Sequence, residues 1–225
     1  MNQKSEFLSG EGDKWYERNS SQLSKKWHAD IVFLRKYLSN QNINKFLEIG
    51  SSAGYKTLQL AKSLKAAAWG IDPSENAINH ANLLARQCSS LDSSLPIANF
   101  SVGTADELKF DNSYFDFIYF GFCLYLVDPL LIPKVITEAD RCLKSSKNHS
   151  IGGGGFLAIL DFDPIAAYKN LYKHKEGLYS FKDDYTRYFL DLKYKIIAKE
   201  NYIENDVGYS NEIDNRISIT LLQKP

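Results

Sequence analysis

Glu48 ends an apolar run that begins at Phe46, and Gly50, Ser51, Ser52 and Gly54 follow it in the stretch FLEIGSSAG. The same arrangement recurs down the chain. Asp72 ends AAAWGID and is followed by Pro73. Gly103, Thr104, Ala105 and Asp106 follow IANFSV. Gly121, Phe122 and Cys123 close YFDFIYF, and Asp161 and Asp163 close GFLAIL. Glycine and serine let another group come close to the backbone. Carboxylates accept hydrogen bonds from hydroxyl and ammonium groups. Small turns and acids gathered in this way suit a ligand with a cationic group and hydroxyls better than a phosphate.

These residues matter together only if their runs are neighbouring strands. Ile43–Ile49 reads as a buried strand and Tyr55–Leu64 as a helix with Leu58, Ala61 and Leu64 along one side. AAAWGID is a second strand. Ser74 is a candidate N-cap for a helix carrying Ala77, Ile78, Ala81, Leu84 and Ala85 on one face. Two further strands, a helix over Leu130–Leu143 and a fifth strand continue the alternation. Alternating strand and helix predicts a parallel, doubly wound sheet, whose ligands bind beyond the carboxyl ends of the strands. YKIIAKENYI and RISITLLQ read as terminal strands with no helix between them. Before the sheet, Leu23, Trp27, Ile31, Leu34 and Leu38 recur at helical spacing, which predicts one helix over residues 12–39. Residues 1–42 then form an N-terminal helical flap, and 43–225 the main domain. KSSKNHSIGGGG reads as a loop; its glycines precede a strand, whereas a phosphate cradle would precede a helix.

Composition narrows the function. Lys plus Arg and Asp plus Glu are both 27, so the net charge is zero, which argues against a broad nucleic-acid or anionic-membrane surface. No run approaches the ~20 apolar residues of a membrane span, and the polar N-terminus lacks the apolar run of a signal peptide. The three cysteines and four histidines are scattered, without metal-type spacing. The reading is a cytoplasmic, metal-free protein.

EIGSSAG, GIDPSENAINHA, VGTADELKFDNSYFDFIYFGFCLYLVDP and EADRCLK, in this order over roughly residues 43–164, resemble the class I S-adenosylmethionine-dependent methyltransferases. The resemblance implies an α/β fold: a doubly wound, mostly parallel seven-stranded Rossmann-like sheet with an antiparallel terminal strand pair. It also implies S-adenosyl-L-methionine as cofactor and methyl transfer to a small polar metabolite. Asp72, with Pro73 beside it, would accept the ribose hydroxyls. Gly50, Ser51, Ser52 and Gly54 would pass close to the methionine portion, with Glu48 helping to hold its cationic end. Thr104 or Asp106, beside Ala105, would meet the adenine amino group, Gly121 and Phe122 would border the cofactor, and Phe122 and Cys123 would lie near the donated methyl. Ser52 departs from the family pattern, standing where a glycine often sits. The dinucleotide fingerprint G-x-G-x-x-G and the phosphate loop G-x-x-x-x-G-K-[ST] are both absent.

The stretch Tyr168–Phe189 is rich in tyrosine and lysine, within an insertion spanning about residues 165–192. In the resembled family this insertion point contributes to the substrate pocket. Tyr168, Tyr172, Lys173 and Tyr179 are the expected substrate contacts, with Trp15 and Tyr16 closing from the flap. The positive Lys173–His174–Lys175 run favours a polar or acidic molecule with a planar or sugar-like portion. His174 is the expected general base, since an imidazole ordinarily titrates near pH ~6.5. Two alternatives share the fold. An aminopropyl transferase would need a pocket for a polyamine. A cofactor-binding partner subunit would carry no catalysis.

Overall fold

The structure is a computed structural model; it describes residues 3–23, 28–146, 153–203, 206–208, 211–212 and 216–225. Its elements run α1 (Gln3–Glu6), a wide turn over Phe7–Glu11, α2 (Gly12–Leu23), α3 (Ala29–Leu38), β1 (Lys45–Ile49), α4 (Tyr55–Leu64), β2 (Ala67–Asp72), α5 (Glu75–Leu91), β3 (Ala98–Val102), β4 (Phe117–Gly121), α6 (Ile132–Cys142), β5 (Phe156–Phe162), β6 (Tyr168–Leu171), β7 (Tyr179–Lys182), α7 (Thr186–Asp191), β8 (Lys195–Ile203), β9 (Asp206–Val207) and β10 (Ile217–Gln223).

The main sheet has the order β3-β2-β1-β4-β5-β10-β8, extended at its edge by the short β9. β3 to β5 are parallel, and β10 runs antiparallel to both β5 and β8. This is the expected doubly wound sheet with its antiparallel terminal pair. Chain order reverses between β1 and β4, so the carboxyl ends of β1, β2 and β4 open onto one crevice.

Two hydrophobic layers cover the sheet. Leu47, Ile49, Ile118 and Phe120 meet Val135, Ile136 and Ala139 of α6 and Phe189 of α7. Phe46, Ala68, Phe117 and Tyr119 meet Ile31, Phe33, Leu34 and Leu38 of α3 and Leu60 and Ala61 of α4. Period-two alternation along β1 places Glu48 on the same face as Phe46, in an otherwise apolar layer.

The single helix expected over 12–39 is two helices. α2 ends at Leu23, and α3 starts after His28, whose backbone is extended (φ −102°, ψ 92°). The two pack on different partners. α2 lies against the start of α5, where Asp13 accepts from the Ser74 hydroxyl (2.7 Å) and the Asn76 N–H (3.0 Å). α3 belongs to the sheet layer, so the segment lying over the strand ends is 3–23. Trp27 and half of the KSSKNHSIGGGG loop, residues 147–152, lie outside the described residues. The 165–192 insertion is an antiparallel hairpin of β6 and β7 followed by α7. Among the described residues, no helix is long and apolar enough to cross a membrane.

Candidate active site

Two cavities meet at the strand ends. The smaller, of about 140 Å³, is floored by Gly50, Ser52, Asp72, Pro73, Thr104, Ala105 and Asp106, with Gly121 and Phe122 at one side. The larger, of about 720 Å³, shares Gly50, Ser52, Gly121, Phe122 and Trp15 with it and reaches Glu48, Ser51, Lys56, Asp30 and His28. The shared residues form the passage between them.

The turn after β1 is built for close approach. Gly50 has φ +78°, and a Cβ there would stand 2.6 Å from Cβ of Cys123. Its N–H and that of Ser51 both donate to the Ile71 carbonyl. Ser52 is also left-handed (φ 46°), and its N–H donates to Oδ2 of Asp72 at 2.9 Å. The other carboxylate oxygen of Asp72 accepts from the Ser74 N–H at 2.9 Å. Asp72 therefore ties the turns after β1 and β2 together and keeps free lone pairs for a ligand. Burial pushes its pKa up to about 6, against the pull of those backbone donors. The hydroxyls of Ser51 and Ser52 are buried without a hydrogen-bond partner. Gly54 lines neither cavity. Its left-handed backbone starts α4, and a Cβ there would stand 2.6 Å from the Phe100 ring.

At the far end of the smaller cavity Asp106 is buried and accepts from Lys4 Nζ at 2.8 Å. Burial would raise its pKa, but the hydrogen bonds from Lys4 and Thr104 outweigh it and hold the carboxyl below the usual range.

Glu48 is 2% exposed. Its Oε2 accepts from the Thr57 hydroxyl, and a Cβ on Gly121 would fall 2.6 Å from its Oε1. Only glycine at the end of β4 leaves room for this carboxyl. Burial pushes Glu48 up to about 8, despite the opposing influence of Lys56 and Thr57. Next to it Asp30 accepts from Lys56 Nζ at 2.8 Å and from the Tyr119 hydroxyl. Burial alone would raise Asp30 too; Lys56, Tyr119 and the nearby His28 imidazole reverse that and hold it low. The floor of the larger cavity thus pairs one ionised acid with a lysine and keeps a second acid protonated at neutral pH.

Phe122 is left-handed (φ 70°), an uncommon state for a bulky residue that gathers at functional sites. Its N–H donates to the Leu160 carbonyl at 3.0 Å. Its ring packs with Tyr125 (5.1 Å between centroids) and Phe162 (5.0 Å). Asp161 is buried behind this cluster, where its carboxylate accepts from the N–H groups of Leu124 (2.9 Å), Tyr125 (3.3 Å) and Phe162 (2.8 Å). Burial pushes its pKa up to about 7. It shapes the wall and lines neither cavity. Cys123 donates its thiol to the Ile49 carbonyl, and burial raises that thiol well above its ordinary pKa.

Among the expected substrate residues, Trp15 lines both cavities, and Tyr172 and His174 line the larger. Tyr168, Lys173, Tyr179 and Tyr16 line neither. The Tyr16 hydroxyl is bonded to Nδ1 of His80. The backbone of Tyr179 holds Gln3 through two hydrogen bonds. Lys173 is exposed, and Lys175 pairs with Glu6. Sequence reading missed His28, Asp30, Lys56, Tyr125 and Tyr202, all lining the larger cavity. No local motif marks them, because α3, α4, β8 and the turn after β4 each bring one or two.

This sheet, with acids closing β1 and β2 and a glycine-bearing turn between, defines the fold of the class I S-adenosylmethionine-dependent methyltransferases. Residues 46–146 match the family model described as a methyltransferase domain. Solved structures agree on the fold. A S-adenosylmethionine-dependent methyltransferase from Methanosarcina mazei is 19% identical (TM-score 0.65, covering 88% of this chain and 98% of that one). The 1,6-didemethyltoxoflavin-N1-methyltransferase of Burkholderia thailandensis is 12% identical (TM-score 0.66, 98% and 86%). The geranyl diphosphate C-methyltransferase of Streptomyces coelicolor is 13% identical (TM-score 0.63, 88% and 77%). A comparison with curated proteins finds no match.

Proposed function

We propose that this chain is an S-adenosylmethionine-dependent methyltransferase acting on a small polar metabolite, with the cofactor running from the smaller cavity through the passage to the Glu48 and Ser51 end of the larger cavity, and the acceptor in the rest of the larger cavity. The observation that carries the reading is the passage itself: Gly50, Ser52, Gly121 and Phe122 border both cavities. A donor and an acceptor bound on either side would meet there, and holding two reactants in line supplies much of the rate of such a transfer.

The residues present fit the cofactor. Asp72 has lone pairs left for ribose hydroxyls. The buried, unpartnered hydroxyls of Ser51 and Ser52 lie in the turn that would follow the methionine portion. Thr104, Ala105 and Asp106 would border the adenine. When bound, S-adenosylmethionine supplies a methyl group already activated on a sulfonium. Glu48 would hold the cationic end of the cofactor, ionising as that charge arrives. His28 and His174 face the larger cavity and would take the proton that an O–H or N–H acceptor loses on methylation. The crystallised Burkholderia relative holds a small-molecule substrate together with S-adenosylhomocysteine, in keeping with this division.

Isothermal titration with S-adenosylhomocysteine tests the cofactor half. Release of S-adenosylhomocysteine against pooled metabolite fractions tests the acceptor half. Binding of the product with no turnover on any fraction would favour a non-catalytic subunit.

A further inference from the structure

The larger cavity is walled by rings. Phe122 and Tyr125 stand on one side, backed by Phe162. Trp15 lines the same cavity. Tyr172 and His174 pack edge to face at 5.4 Å on the hairpin side, and Tyr202 comes from β8. Aromatic faces favour flat partners through offset or edge-on stacking.

The acids and the lysine among the described lining residues already have partners. They are Asp30, Glu48 and Lys56. Lys56 is bonded to Asp30, and Glu48 to Thr57. Among them no arginine offers the two-pronged grip that a phosphate or carboxylate favours. The lysines of the hairpin, which in sequence suggested an acidic substrate, are placed elsewhere. Lys175 pairs with Glu6, Lys169 lies over the Tyr179 ring, and Lys182 lies 3.9 Å from the Phe162 centroid.

We propose that the larger cavity takes a planar, uncharged aromatic or heteroaromatic acceptor with a dissociable O–H or N–H group, stacked against Tyr125 and Phe122. The inference rests on the methyltransferase reading and narrows its acceptor. Planarity follows from the ring walls, and lack of charge from the committed ion pair. The O–H or N–H follows from the imidazoles of His28 and His174 on the same cavity. The chemistry balances: a bond forms between the methyl carbon and the acceptor oxygen or nitrogen, the sulfur–methyl bond breaks, and the acceptor proton passes to an imidazole.

The test is titration of the full chain, saturated with S-adenosylhomocysteine, with catechol and 8-hydroxyquinoline as planar probes, and ethanolamine and phosphoserine as non-planar ones. The planar probes should bind and the others should not. Tyr125→Leu should weaken the planar probes about tenfold, while Tyr125→Phe, which keeps the ring, should stay within about twofold. S-adenosylhomocysteine affinity, unchanged in both variants, verifies that they fold. If S-adenosylhomocysteine binds but the planar probes do not, or if Tyr125→Leu leaves them unaffected, the inference is overturned and the methyltransferase reading stands. Failure of S-adenosylhomocysteine to bind wild-type protein would remove the reading and the inference together.

Discussion

The hydroxyl of Tyr172 donates to Oε1 of Glu11 at 3.0 Å, joining residues 161 positions apart. Arg18 Nη2 completes the group, 2.6 Å from the same Glu11 oxygen and 2.9 Å from the Tyr172 hydroxyl. Gln3 reaches the Leu126 carbonyl and the Tyr179 backbone nearby. The N-terminal segment and the inserted hairpin are therefore fastened to each other above the cavities.

Tyr172→Phe removes two hydrogen bonds to charged groups from a partly exposed site. A loss of about 1–2 kcal/mol is expected, or roughly 2–8 °C in melting temperature for a chain of this size. Glu11→Ala should cost more, because it removes the buried carboxylate that both Tyr172 and Arg18 bond. Calorimetric melting of both variants checks this. A Tyr172→Phe protein that melts with wild type would mean that the two segments are not fastened in solution.

The buried acids set the dependence of stability on pH. Glu48, Asp72 and Asp161 are all raised by burial, to about 8, 6 and 7. Each stays protonated in the folded chain at pH values where the unfolded chain has already released its proton. Their contribution is complete below about pH 4, the ordinary carboxylate range, and is lost as pH rises through 6 to 8. The ligand-free protein should melt at a higher temperature at pH 5.5 than at pH 8. Glu48→Gln should flatten the upper part of that curve. Wild type and variant curves that run parallel would show Glu48 to be ionised already.

On the proposed reading Asp72 has two duties, and substitutions separate them. Asp72→Asn keeps an acceptor and should weaken S-adenosylhomocysteine about tenfold, or about 1.4 kcal/mol. Asp72→Ala should weaken it roughly 30- to 150-fold, or about 2–3 kcal/mol. It should also lower the melting temperature, because the N–H groups of Ser52 and Ser74 lose their partner. Equal affinities in all three proteins would leave Asp72 with the structural duty alone.

The two cavity imidazoles differ in setting. His28 is 9% exposed and beside Asp30; His174 is exposed on the hairpin. His28→Ala should lower kcat about 100-fold if it takes the acceptor proton, and His174→Ala should mainly raise KM. Lys173→Ala, off both cavities, should change neither. The reverse pattern in steady-state kinetics would assign the proton to His174.

The crevice at the strand ends was legible because its residues fall directly after strands, where local spacing reports position. Glu48, Gly50, Asp72, Thr104 and Asp106 could be placed by reading where apolar runs end. The larger cavity was not, because its walls come from separate elements that only packing brings together. Asp30 and Lys56 are 26 positions apart and form one ion pair. The break between α2 and α3 was hidden by apolar spacing that continues across it. Leu23 keeps the helical phase of Ile31 and Leu34, yet it lines the larger cavity while they enter the core. Tyrosine content alone could not show that Tyr16 would turn to His80, or that the backbone of Tyr179 would anchor Gln3.

The central claim is that the crevice beside Asp72 is a site for S-adenosylmethionine and its product. Isothermal titration of the wild-type chain with S-adenosylhomocysteine, and separately with NAD, tests it most directly. The account predicts saturable binding of S-adenosylhomocysteine, weakened in Asp72→Asn, and no heat of binding with NAD. Binding of NAD without S-adenosylhomocysteine, or binding of neither, would contradict it.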